Sequence, residues 1–243
     1  GFGGTTGPNY DEKTFSTVWG TGDDKSNATL ILDYFSNSQI DNYELGRFGT
    51  ANQTPYGGED FRSSRGYPGN FNVNGEVRID PGCPADRAFG QTCVFDYGPF
   101  GMTNPPAERL GAIFQASQKF TDNVQGYVEL SVQHNRSQAS GAATPLDGDA
   151  GLTVPGAHPN NPFGVDIAIN RFRTVDAGPR VWDIESDSLR LVAGLRGQID
   201  RWDWDVSAQK GRSAATQTGD RDQGWVRTDF LQTEINAGRY NPF

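Results

Sequence analysis

The residues of this chain whose types could do chemistry are two histidines, His134 and His158, two cysteines, Cys83 and Cys93, and a few acidic turns. Neither histidine lies in a helical His-x-x-x-His or another metal-binding spacing, and both stand beside loop signals. Asp147-Gly148-Asp149 could touch calcium, but the rest of an EF-hand loop is missing and the triplet reads as a solvated turn. Gly3-Gly4-Thr5-Thr6-Gly7 lacks the lysine of a phosphate-binding loop, and no Gly-x-Ser-x-Gly elbow is present. The residues therefore point away from an enzyme and imply no metal and no cofactor. Cys83 and Cys93 share one Gly/Pro-rich loop, where a disulfide would close a small ring in an oxidising compartment; two unpaired loop thiols are the alternative. Asn27, Asn52 and Asn135 each open an Asn-x-Ser/Thr triplet, a weak signal.

The elements that position these residues are hairpins. Alternating apolar runs pair as 15–19 with 28–34, 110–120 with 124–132, and 189–199 with 202–208, joined by tight polar turns at 20–27, 121–123 and 200–201. Between the hairpins lie two long stretches, 35–109 and 133–188. Tight turns at one end and long loops at the other are the pattern of an outer-membrane β-barrel. Residues 228–237 carry Phe230, Leu231 and Ile235 with Gly238 behind them, which predicts a short helix.

Side chains alternate faces along a strand, so each face can be read separately. One face runs Phe15, Thr17, Trp19; Ala28 to Tyr34; Leu110 to Phe120; Val124 to Val132; Leu189 to Ile199; and Trp202 to Ala208, in steps of two. Of its 28 positions 24 are apolar and none is charged. The other face carries Asp33, Lys119, Glu129, Arg190, Arg196, Asp203 and Asp205. Trp19, Tyr34, Phe120, Trp202 and Trp204 fall near strand ends, as an aromatic girdle at a membrane interface would. Arg190 and Arg196, with Asp203 and Asp205 on the next strand, could pair across the hairpin in a polar lumen.

Mean hydropathy is −0.63, and no apolar run is long enough to span a membrane as a helix. A barrel evades that test, because only alternate strand residues need be apolar. The net charge of −9 and the lack of a basic cluster argue against a nucleic-acid partner. Residues 1–9 are Gly/Thr-rich and read as the end of a preceding loop, and the chain carries no signal-peptide core. Six clear strands are too few to close a transmembrane barrel, so two strands hide in the loops or the barrel is incomplete.

His158-Pro159-Asn160-Asn161-Pro162-Phe163-Gly164, then Arg171 and Asp176-Ala177-Gly178-Pro179-Arg180, resembles a stretch in the barrels of TonB-dependent outer-membrane receptors. The order continues through the 189–199 strand into Trp202-Asp203-Trp204-Asp205. Tyr240-Asn241-Pro242-Phe243 is similar to a barrel-loop segment of the family, and 29–35 to one of its earlier strands. The resemblance implies an all-β, antiparallel up-and-down transmembrane barrel segment of about six to eight strands, with long extracellular loops. Residues 1–243 would form part of one barrel domain, the plug domain and remaining strands being absent. It further implies a Gram-negative outer-membrane receptor, in contact with outer-membrane lipid and with the TonB complex through its plug. Such receptors take up siderophores, cobalamin or carbohydrate fragments. Tyr56, Phe61, Tyr67, Phe71, Phe95 and Tyr97, all in the first long stretch, could stack on a sugar ring or a catechol, or hold their own loop together. A porin or adhesin barrel and a soluble extracellular β-sandwich binding module are the competing readings.

Overall fold

The structure, a computed structural model, describes residues 1–243 apart from Thr5, Thr6 and Pro8, so those parts of the N-terminal glycine-rich run lie outside the described residues. It is mostly β, with 55% strand and 12% helix. In chain order the strands begin with β1 (Phe2–Gly4), β2 (Asp11–Gly22), β3 (Ser26–Asn37) and β4 (Ile40–Asp41). Short pieces follow as β5 (Asn70–Val73), β6 (Glu76–Ile79), β7 (Ala88–Phe89), β8 (Thr92–Cys93) and β9 (Met102–Asn104). Then come β10 (Ala107–Thr121), β11 (Val124–Gly141), β12 (Pro145–Asp147), β13 (Thr153–Val154) and β14 (Ile167–Arg173). The long strands β15 (Arg180–Ile199) and β16 (Trp202–Gly219) precede the helix α1 (Thr228–Asn236).

The chain divides into two compact units, where one barrel domain is expected from the sequence. The first holds Gly1–Ile40, Asn104–Gln138 and Asp183–Thr218, and the second holds the rest. The first is a seven-stranded sheet in the order β1-β2-β3-β10-β11-β15-β16. All six expected runs lie inside it as neighbours. Asp200 takes a positive φ of 54° at the tightest turn, a conformation that aspartate tolerates better than most residues. The sheet is open, with β1 and β16 as its edges, so these strands do not close a barrel.

Four boundaries differ from expectation. Phe2–Gly4, expected to be loop, pairs with β2 through the register Phe2↔Lys13. Residues 133–141 and 180–188, also expected to be loop, continue β11 and β15. Residues 133–141 are polar on both faces, and in 180–188 Val181, Trp182 and Ile184 do not alternate cleanly, so neither stretch carries a clear alternation signal; Arg136 nevertheless bonds Glu185 at 3.0 Å and Gln138 bonds Asp183 at 2.9 Å. β16 likewise runs past Ala208 on Ser, Thr, Gln and Ala.

The second unit has a core of its own, which is why the long stretches fold rather than trail. The sheet β12-β14-β5-β6, with β13 beside β14, packs Phe71, Val154, Ile167, Ile169 and Phe172 against Leu231 and Ile235 of α1. A register shift between Ile169 and Arg171 moves the inward face of β14 from odd to even positions, so Phe172 also points into the core. Leu231 and Ile235, one turn apart, form the buried stripe of α1, and Gly238 (φ 69°) stops it with its N–H on the Ile235 carbonyl. Cys83 and Cys93 are bonded to each other.

Asn70 joins the loops to this core. Fully buried, it donates from Nδ2 to the carbonyls of Ser64 (3.0 Å), Cys93 (3.0 Å) and Arg171 (3.2 Å), and its Oδ1 accepts the Cys93 N–H at 2.7 Å. Replacing it orphans several buried backbone groups at once. Asn70→Ala is expected to lower the denaturant midpoint of the second unit, at a cost of about 2–4 kcal/mol. An unchanged midpoint would show that the hub is not structural.

Candidate membrane-facing surface and loop site

The printed registers assemble the apolar face into cross-strand rows. Phe15, Tyr34, Leu110 and His134 stand opposite one another across β2, β3, β10 and β11. The next rows are Thr17-Leu32-Ala112-Val132, Trp19-Leu30-Phe114-Leu130 and Thr21-Ala28-Ala116-Val128. On the loop side the same face ends in the charged row Lys13-Ser36-Glu108-Arg136, continued by Glu185 through its ion pair with Arg136. Nothing in the unit covers the band: Phe114, Leu189, Leu191 and Leu195 are all exposed.

The loop-side edge of the band is level across three strands, Phe15, Tyr34 and Leu110 sharing one row, while its turn-side edge steps outward from Trp19, opposite Leu30, to Phe120 on β10.

Trp19 and Phe120, each 63% exposed, and Trp202, 70% exposed, stand at the turn-side end of their runs, whereas Tyr34 stands at the loop side. Trp204 is half-buried because its indole lies over Gly197, where a Cβ would come within 2.9 Å of the ring. Phe120 lies over Gly126 in the same way, and Tyr127 over Gly194 on the opposite face. These glycines make room for aromatic rings across the strands.

On the polar face the expected pairing between Arg190 or Arg196 and the aspartates of β16 is replaced by contacts to β11. Arg190 reaches Glu129 at 3.4 Å, and Arg196 donates to Gln125 at 2.9 Å with its guanidinium 5.4 Å from the Tyr127 ring. Tyr127, stretched over Gly194, donates to Asp205 at 2.8 Å and so occupies the partner that Arg196 would have used. Asp203 lines a hollow of about 490 Å³ with Lys119 and Arg196.

Alternation carried beyond Ala208 puts Lys210 and Arg212 on the apolar side of β16, a feature missed by ending the strand there. Arg212 shares a hollow with Leu32, Val132 and Leu189, which fixes its face. Both cations follow the last apolar residue of the run, on its loop side.

In the second unit the six loop aromatics separate into two groups. Phe71 is fully buried, Phe95 stacks on Phe100 at 5.5 Å, and Tyr67 packs edge-on to Phe172 at 6.2 Å. Tyr56, Phe61 and Tyr97 are exposed, as are Tyr43 and Phe48, which the sequence reading omits. Their segments are clasped by Asp96, which accepts from Thr50 Oγ1 (2.5 Å), Ala51 N (2.9 Å) and Gly98 N (3.0 Å). Asn42 adds a bond to the Gly98 carbonyl at 2.8 Å. The two Asn-Pro-Phe segments are matching turns: Asn161 Oδ1 accepts the Phe163 N–H and Asn241 Oδ1 the Phe243 N–H, and both rings meet Phe71, at 6.0 and 4.8 Å. His158 is buried and pins them, with Nε2 3.1 Å from the Tyr240 carbonyl and Nδ1 accepting from Asn160 N. His134 pairs with Asp187 at 2.7 Å. Among the described residues no cluster of three or more His, Cys, Asp or Glu could hold a metal.

Two buried charges matter to this unit. Arg173 has no carboxylate partner among the described residues; it donates to the carbonyls of Ala143 and Arg65 and to Ser63 Oγ, and burial pushes its pKa down to about 10, still charged at neutral pH. Asp80 is 4% exposed, with Oδ1 accepting the Gly82 N–H at 2.6 Å and Oδ2 without a partner. Burial raises its pKa, opposed by the Gly82 bond. Comparison with protein-family models, curated proteins and solved structures returned no match.

A raised folded-state pKa contributes stability at low pH that is lost as pH rises through it. Asp80→Asn, which keeps an acceptor for Gly82, is therefore expected to raise stability at pH 7 by about 1 kcal/mol. The gain should vanish below the usual carboxylate range in pH-dependent denaturation. A gain that grew on acidification would contradict this sign.

Proposed function

We propose that the long strands of the first unit are a wall section of an outer-membrane β-barrel in a Gram-negative cell. The uncovered apolar band carries this reading. Ten residue steps from Leu110 to Phe120, at the ~40° strand tilt usual in transmembrane barrels, cover ~25 Å, the height of the apolar band in such proteins. The charged row on its loop side and the tryptophans on its turn side are where a hydrocarbon layer would end. Strand edges facing lipid would leave backbone groups unpaired, so β16 and the part of β2 beyond its pairing with β1 need further strands beside them.

The resemblance to TonB-dependent receptors supports the more specific proposal of an active-transport receptor, coupled to the TonB complex through a plug domain. The long connections leave the strand ends opposite the tight turns, where outward loops of a barrel arise. Tyr43, Phe48, Tyr56, Phe61 and Tyr97 then offer exposed rings for a ligand of the siderophore, cobalamin or carbohydrate class. Capture and passage break no bond, so no catalytic group is needed.

In bilayers with bromine on the acyl chains, single-tryptophan variants retaining Trp19, Trp202 or Trp204 are expected to be quenched, whereas those retaining Trp182 or Trp225 are not. Equal quenching in both sets, or monomeric behaviour without detergent or lipid, would overturn the proposal.

A further inference from the structure

Five exposed rings of the second unit leave from one small lobe. Gly98 packs so closely on the Gly49 carbonyl that a Cβ would come within 2.6 Å of it, which brings the preceding residues, Phe48 and Tyr97, to a common contact. Asn42, beside Tyr43, holds the Gly98 carbonyl at 2.8 Å, and the Phe61 N–H donates to the Ala51 carbonyl at 2.9 Å. Gln53 ties in the turn that carries Tyr56: its Nε2 donates to the Arg47 carbonyl at 2.9 Å, and its own carbonyl accepts the Tyr56 N–H at 2.9 Å. Tyr43, Phe48, Tyr56, Phe61 and Tyr97 are between 44% and 71% exposed. Among the described residues none of the five packs on another aromatic ring, and only Phe48 is covered by a cation, the Arg47 guanidinium at 4.6 Å.

The charges around the rings select what they take. Residues 41–62 and 96–101 carry Asp41, Glu44, Glu59, Asp60 and Asp96 against Arg47 and Arg62, five carboxylates to two guanidiniums. Arg62 is held by Asp60 at 2.8 Å with both side chains mostly buried, whereas Glu44 and Glu59 are exposed and form no ion pair among the described residues. An anionic ligand, such as a ferric catecholate or a phosphate ester, meets repulsion on this lobe. A cationic ligand is held by rings that converge on it, and a macrocycle needs one broad slot; no two of these rings are in contact. Separate ring faces beside acceptor-only carboxylates suit a neutral chain of hydroxyl-rich rings, whose C–H faces stack on the aromatics while its hydroxyls donate to Glu44 and Glu59. We infer that this lobe binds a neutral oligosaccharide, so that carbohydrate is the ligand class of the receptor proposed above; the inference rests on that proposal for the outward placing of these loops.

The test uses the full polypeptide that carries these residues, in a detergent without a sugar headgroup. It is applied to an array of neutral oligosaccharides of glucose, xylose, galactose and N-acetylglucosamine, and the affinity of each retained glycan is measured by calorimetry. At least one series is expected to bind, with affinity rising with chain length. Tyr43→Ala and Tyr97→Ala should each weaken binding about tenfold, the loss of one aromatic contact, while Phe89→Ala, an exposed ring outside the lobe, leaves it unchanged. Retention of no glycan, or binding unchanged in both tyrosine variants, overturns the inference. A ferric tris-catecholate, cyanocobalamin or tetramethylammonium bound in place of the glycans, and lost in Tyr97→Ala, overturns the carbohydrate class while leaving the receptor reading standing. If the protein is monomeric without detergent or lipid, the receptor reading fails, and glycan binding lost in the tyrosine variants then upholds the lobe alone.

Discussion

The two faces of the long sheet make opposite demands on their surroundings, one almost wholly apolar and the other carrying the charges, and the rest of the unit follows from that opposition. Trp19, Leu30, Phe114 and Leu130 form one continuous apolar row that no other part of the unit covers. In water such a face requires a partner, because contiguous apolar patches of this size are rare on soluble monomers. On the other face the same strands present Glu129, Arg190, Arg196 and Asp205, satisfied by one another and by Gln125 and Tyr127. The glycines at 126, 194 and 197 belong to this arrangement, since each leaves room for an aromatic ring from the next strand.

The second unit is built on different physics. Its core of Phe71, Ile169, Phe172 and Ile235 is closed, and its loops are held by polar hubs rather than by long ladders. Asn70 and Arg173, both buried, and Asp96, half-buried, each bind several backbone or hydroxyl groups of distant segments. The buried hubs are costly to break, because the groups they release have little access to water. Rigid loops of this kind can present exposed rings, Tyr97 and Phe61 among them, without the entropy loss of ordering them on binding.

Much of the sheet is legible in the sequence because alternation is a local signal. The runs at 110–120 and 189–199 state their strand type and inward face without help. Residues 133–141 and 180–188 do not, since Arg136 and Glu185 become strand residues only by finding each other across the ladder. Arg212 is missed for a related reason: a cation ends an apolar run in sequence, but the backbone continues straight through it. In the second unit, composition predicts a folded loop and separates nothing further. Phe71 and Tyr97 look alike in sequence, and only long-range packing makes one a core residue and the other a surface ring. The two Asn-Pro-Phe segments carry a resemblance, yet their role here, bringing Phe163 and Phe243 to Phe71, depends on contacts between segments far apart in the sequence.

The claim that matters most is that one face of the sheet meets hydrocarbon. Spin labels placed singly along β10, from Leu110 to Phe120, measure it directly when oxygen and a polar nickel chelate compete as relaxing agents in a bilayer. The account requires oxygen accessibility to peak at 110, 112, 114, 116, 118 and 120 and nickel accessibility at the positions between, with period two throughout. A strand on which both faces favour the nickel reagent, or on which neither reagent alternates, would contradict it.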